Sequence, residues 1–151
     1  MQRIIVSDTS CLILLDKIGQ IGLLKSIFGK VIITKEILQE FQKELPSFFE
    51  VIIPKDQNYQ RILETSLDPG EASAIALALE YPDSLLIIDE LKGRREAKSL
   101  GLKVTGTIGV IILAKQLGQV HSIKSLFKEI EKTNFRINKD LIAEALRKCG
   151  E

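Results

Sequence analysis

Acidic residues stand at the ends of the most apolar segments of this chain. Arg3-Ile-Ile-Val-Ser7 runs into Asp8, and Ser84-Leu-Leu-Ile-Ile88 runs into Asp89. Glu71 follows Asp68-Pro69-Gly70 at the head of an alanine-rich segment that reaches Leu79. A fourth carboxylate belongs to the segment from Thr34 to Leu45. Its apolar positions Ile37, Leu38, Phe41 and Leu45 repeat with the helical period of about 100° per residue, which places Glu44 nearer the apolar face than Glu40. Carboxylates gathered in one cleft repel each other, and some take up protons unless a cation joins them. Hard divalent cations such as Mg²⁺ and Mn²⁺ select oxygen ligands, and Mg²⁺ commonly takes a few carboxylates with water and substrate phosphate. Such an ion lowers the pKa of a water and stabilises the charge that develops in phosphodiester cleavage. The acids therefore point to metal-assisted hydrolysis of a phosphate ester.

Each acid also has a plainer role open to it. Asp8 and Asp89 both precede segments that can be helical, and aspartate is a favoured N-cap. Asp68-Pro69-Gly70-Glu71 fits a helix start, with Glu71 completing a capping box. Glu40 and Glu44 can both lie on a solvated helix face. Lys92, Arg94, Arg95 and Lys98, just after Asp89, suit RNA phosphates or simply water. Thr107 opens a helix whose amides can accept an anion. His121 stands far along the chain from the acids, and neither cysteine has a setting that would make it a nucleophile.

The elements that position these residues follow from apolar patterning. Arg3–Ser7, Val31–Ile33, Val51–Ile53, Ser84–Asp89 and Leu102–Thr105 read as short buried strands. Between them, helices are expected from Ile21 to Phe28, from Thr34 to about Leu45, from Asp56 to about Thr65, from Asp68 to Leu79 and from Leu91 to Leu100. Three more follow: Gly106 to Leu117, Ser122 to Lys132 and Asn138 to Lys148. Near-continuous apolar strands alternating with helices predict a mostly parallel sheet covered on both faces. In open sheets of this kind, function collects at the carboxyl ends of the strands, where Asp8 and Asp89 fall.

With 151 residues, 45% hydrophobic and 27% charged, the chain matches one globular domain spanning residues 1–151. A formal net charge of +1 removes any argument for nucleic-acid binding from overall charge, so RNA would have to be engaged by a local basic surface or by metal. Cys11 and Cys149 have no metal-ligand spacing and read as reduced thiols. No signal pattern is seen at the N-terminus. The longest uncharged apolar stretch, Val104–Ala114, is far shorter than the roughly 20 residues that span a bilayer. A cytoplasmic protein with no membrane association is expected.

Taken in order, Ser7-Asp8-Thr9-Ser10, Glu40 within Ile37-Leu-Gln-Glu-Phe41, Gly70-Glu71-Ala72 with Ala74-Ile-Ala76, Ile88-Asp89 with Gly93-Arg94, and Gly106-Thr107 with Gly109 resemble PIN domains. The likeness is to a compact prokaryotic branch of PIN-like nucleic-acid-binding proteins similar to VapC toxins, and it covers about Ile4 to Gly118. It implies a three-layer α/β/α sandwich with a short, mostly parallel central sheet. It implies an acidic quartet of Asp8, Glu40, Glu71 and Asp89, with Asp8, Glu71 and Asp89 as ligands of Mg²⁺ or Mn²⁺. Thr9, Ser10, Arg94 and Thr107 would contact substrate. Where the common toxin pattern places an aspartate, this chain has Glu71, whose extra methylene changes reach. The resemblance further implies an RNA substrate, an antitoxin partner and a homodimer. Here the alignment picks Glu40 and the periodicity picks Glu44.

Two other classes compete with the nuclease. A non-catalytic relative would keep the fold and bind RNA or protein. An aspartyl-phosphate protein would also use an aspartate after its first strand. The phosphatase version wants a second aspartate where Ser10 stands, and the receiver version wants an acidic pair where only Asp8 is present.

Overall fold

A computed structural model describes residues 3–151, so Met1 and Gln2 of the expected domain lie outside it. Five strands form one sheet: β1 (Ile4–Ser7), β2 (Val31–Ile33), β3 (Phe49–Val51), β4 (Ser84–Ile87) and β5 (Lys103–Thr105). Their spatial order is β3-β2-β1-β4-β5, and every pairing is parallel. Among the described residues nine helices flank the sheet: α1 (Thr9–Lys17), α2 (Leu23–Phe28), α3 (Lys35–Phe41), α4 (Gln57–Leu63), α5 (Pro69–Leu79), α6 (Leu91–Ser99), α7 (Thr107–Gln116), α8 (Ile123–Glu131) and α9 (Lys139–Lys148). The result is a three-layer α/β/α fold. The expectation of a mostly parallel sheet is met in full.

The core strands are apolar because both faces are covered. Val6, Val31, Ile33, Leu86 and Ile87 are fully buried. Helix α5 packs on β1 and β4 and against α3, α4 and α6. Nine of its 11 residues are buried, which explains the alanines: a helix enclosed on all sides must be thin. Helix α1 sits between two cores. Leu12 and Leu15 join the sheet core, while Leu14 belongs to a second cluster with Ile111 and Ala114 of α7 and Leu126, Phe127 and Ile130 of α8.

Several boundaries differ from the sequence reading by a residue or more, and two of the differences have a visible cause in the backbone. The third strand is Phe49–Val51, not Val51–Ile53, because Phe49 continues the ladder opposite Val31 and Val51 ends it opposite Ile33. The segment before it stops being helical early. Gln42 adopts a left-handed conformation (φ 63°) and its amide closes on the Leu38 carbonyl, so α3 ends at Phe41 rather than near Leu45.

Candidate functional site

Strand register brings the ends of β1 and β4 together, with Asp8 level with Ile88 and Asp89 one residue beyond. Ser7 pairs with Ile87, and the Asp8 amide donates to the Ile87 carbonyl at 2.8 Å. Asp8 is the N-cap of α1, yet its side chain makes no capping bond. Its carboxyl is therefore not consumed by the cap role open to it in the sequence.

Beyond the ends of β1 and β2 lies a cleft of about 430 Å³, lined by Asp8, Thr9, Ser10, Glu40, Glu71, Asp68, Glu90, Ile13 and Lys92. Three of the four sequence-chosen acids thus share one space. Asp8 and Glu71 are each only 6% exposed. Burial pushes the Asp8 carboxyl up to about 7; the Thr9 amide offsets part of this, and the neighbouring Glu71, Asp68 and Glu40 charges add to it. Burial also lifts Glu71 to about 7, with the Asp68 charge the next cause. Glu40, more exposed, is likewise raised by burial, against the opposing bond from Thr9. With Asp68 and Glu90 beside them, these three acids make the pocket electronegative.

Helix caps and close packing set this geometry. Asp68 caps α5 by accepting from the Glu71 amide at 2.8 Å, and the Glu71 side chain accepts in return from the Asp68 amide at 3.4 Å, a complete capping box. Capping and facing the cleft are thus not alternatives for Glu71: it does both. Glu40 stands in the last turn of α3, where Thr9 donates to it at 2.9 Å. Gly70 lies directly beneath it. A Cβ there would stand 2.2 Å from Glu40 Oε1, so the Glu40 carboxylate occupies the space a side chain would need. The rival from periodicity, Glu44, lies past the end of α3 and is exposed. The helical periodicity that favours Glu44 stops at Phe41.

Asp89 lies on the other side of Ser10, outside the lining of the acid cleft. It lines an adjoining cleft of about 390 Å³ that shares Ser10 and Glu90 with the first. Its carboxylate accepts from the Thr107 amide at 2.8 Å, the Thr107 hydroxyl at 2.6 Å and the Ser10 hydroxyl at 3.4 Å. Asp89 thereby ties the end of β4 to the first turn of α7. A Cβ on Gly106 would meet Asp89 Oδ1 at 2.7 Å and Arg94 Nη1 at 2.9 Å, which explains the glycine. Arg94 donates to the Ile88 carbonyl at 3.0 Å and borders a third cleft with Asp89. Buried Cys11 lies in the field of both aspartates, and burial first, then Asp89, pushes its thiol up to about 12. It is no nucleophile.

The sequence reading gave Asp68 only a capping role. It also charges the cleft wall, which its place one helical turn before Glu71 allowed. Phe135–Asn138 and Leu141 line the Asp89 cleft, and nothing in their spacing marks them for that role in the sequence.

The donor chemistry of the acid cleft fits a hard divalent cation, since all of its acids offer oxygen and two are held near neutrality by burial and like charge. No group of three His, Cys, Asp or Glu side chains among the described residues is arranged to hold an ion. Two carboxylates with water and substrate phosphate satisfy Mg²⁺, and Asp8 and Glu71, which line the same cleft, are the pair that could do so. No helix among the described residues is long and apolar enough to cross a membrane.

A family model described as a PIN domain matches residues 4–151. Comparison with curated proteins and with solved structures gives no match. The PIN fold is nuclease-type, and its members typically use divalent metal. The match takes in both strand-end aspartates, the acid cleft and the C-terminal helices: the chain belongs to the PIN-domain family.

Proposed function

We propose that this protein is a metal-dependent endoribonuclease and the toxin of a toxin–antitoxin pair. The observation that carries the reading is the convergence of Asp8, Glu40 and Glu71 on one cleft at the carboxyl ends of a parallel sheet. Asp8 and Glu71 would hold Mg²⁺ or Mn²⁺. Asp89 already spends three of about four acceptor positions on Thr107 and Ser10, so it would serve with the one remaining. When bound, the cation neutralises phosphate charge and lowers the pKa of a water.

The chain's own groups supply the rest. Glu40, oriented by Thr9, takes a proton from the attacking water, and its raised pKa suits a general base better than an ordinary carboxylate. The Ser10 hydroxyl, on the rim between the two clefts, and Lys92 beside the acids position the phosphate. Thr9 orients Glu40, Thr107 fixes Asp89, and Arg94 braces the end of β4 while presenting the rest of its guanidinium to the third cleft. The toxin role, the antitoxin segment over the acidic cleft and the homodimer rest on the resemblance to VapC-like proteins.

Purified protein should cut single-stranded RNA in Mg²⁺ or Mn²⁺, not in EDTA, and lose the activity on Asp8→Asn or Glu71→Gln. Cleavage by both variants at the parent rate would refute the assignment. The toxin role requires a small open reading frame beside the gene whose product, on co-expression, co-purifies with the protein and inhibits it. One observation favours a second reading, a non-catalytic RNA- or protein-binding module: no group of three acids is arranged to hold an ion among the described residues. RNA binding without cleavage in any divalent cation would select it.

A further inference from the structure

The adjoining cleft is walled by two distant parts of the chain. One wall is Ser10, Asp89, Glu90, Thr107 and Ile108, and the other is Phe135–Asn138 with Leu141. Its volume of about 390 Å³ lies in the range of small-ligand sites. It meets the acid cleft at Ser10 and Glu90, so the two clefts adjoin. The connection between α8 and α9 is held at both ends. Lys17 of α1 donates to Asn134 at 2.8 Å, Phe135 donates its amide to Thr133 at 3.1 Å, and Asn138 accepts from the Asp140 amide at 2.7 Å. Phe135 packs partly on the second core while lining the cleft, and Arg136 beside it is exposed.

An aromatic surface next to a cation is the arrangement by which proteins seat unpaired bases. The wall carries two carboxylates: Asp89 has its oxygens engaged by Thr107 and Ser10, and Glu90, exposed at the rim shared with the acid cleft, caps α6 by accepting from the Lys92 amide at 3.2 Å. We propose that this cleft seats the nucleotide next to the scissile phosphate in a single RNA strand, with its base on Phe135 and its phosphate reached by Arg136. The proposal rests on the nuclease reading above.

The test uses a fluorescein-labelled single-stranded oligoribonucleotide of mixed sequence, cut in Mn²⁺ and bound, by anisotropy, in EDTA. Phe135→Leu keeps apolar bulk against the second core but removes the aromatic face. It should raise KM and Kd roughly 5- to 100-fold with kcat little changed and the melting temperature preserved, and Phe135→Trp should restore binding. Arg136→Gln should reduce the slope of log Kd against log salt by about 0.7. If both variants bind and cut like the parent, the subsite is wrong and the nuclease reading stands. If the parent neither binds nor cuts RNA, both fall. If Phe135→Leu leaves RNA untouched but abolishes co-purification of a small protein partner, the cleft is a protein surface and the proposal is overturned.

Discussion

Thr9 donates its hydroxyl to Glu40 at 2.9 Å across 31 residues of sequence, joining the first turn of α1 to the last turn of α3. Thr9 is 4% exposed, so the donor is fixed and the long Glu40 side chain is held from one end. Gly70 leaves room for that carboxylate from the α5 side.

Gly70→Ala therefore tests Glu40 without touching it. The new methyl must push the carboxylate aside, because Glu40 is the movable partner. Alanine also favours the helix over glycine by up to about 1 kcal/mol. The expected outcome is a stability equal to or above the parent with cleavage lowered at least tenfold, measured by melting and by RNA hydrolysis. Glu44→Ala should change neither, since Glu44 lies beyond the helix in solvent.

Asp8 and Glu71 make the metal-free protein sensitive to pH. Both have folded-state values near 7, raised from the usual carboxylate range. A raised carboxyl gives stability that is fully present below its unfolded pKa, near 4, and is lost as pH rises through the folded value. Metal-free protein should thus melt highest near pH 4–5 and progressively lower up to about pH 8, with Asp8 alone giving a change on the order of a few kcal/mol. Asp8→Asn removes a buried charge and keeps the shape. It should raise the melting temperature at pH 8 in EDTA while abolishing cleavage, and a melting temperature that rises with pH in the parent would contradict the acid cleft.

The sheet was legible in the sequence because buried parallel strands must be apolar along their length, as Ile4–Val6 and Leu85–Ile88 are. The ends of those strands marked Asp8 and Asp89 for the same reason. The partner carboxylate from the following helices was harder. Glu40 was found only by resemblance, since periodicity cannot see that Gln42 turns left-handed and ends α3. The separation of Asp89 from the other acids was invisible too. It depends on Thr107, which is 18 residues away in sequence and reaches Asp89 only through the β4–β5 pairing.

Asp89 calls for a pair of substitutions. Asp89→Ala strands the Thr107 amide and hydroxyl at the head of α7, at a cost of about 1–3 kcal/mol, and should lower the melting temperature by several degrees. Asp89→Asn keeps an acceptor for the Thr107 amide and should melt close to the parent. A loss of RNA cleavage in Asp89→Asn with the fold intact assigns Asp89 to the chemistry; parental cleavage restricts it to holding α7.

Calorimetric titration of Mn²⁺ into the protein at pH 8 goes to the centre of the account. Saturable binding at millimolar concentration or tighter is expected for the parent, with Asp8→Asn and Glu71→Gln each abolishing it. Absence of binding by the parent, or parental binding by both variants, would contradict the claim that these acids form a cation-holding pocket.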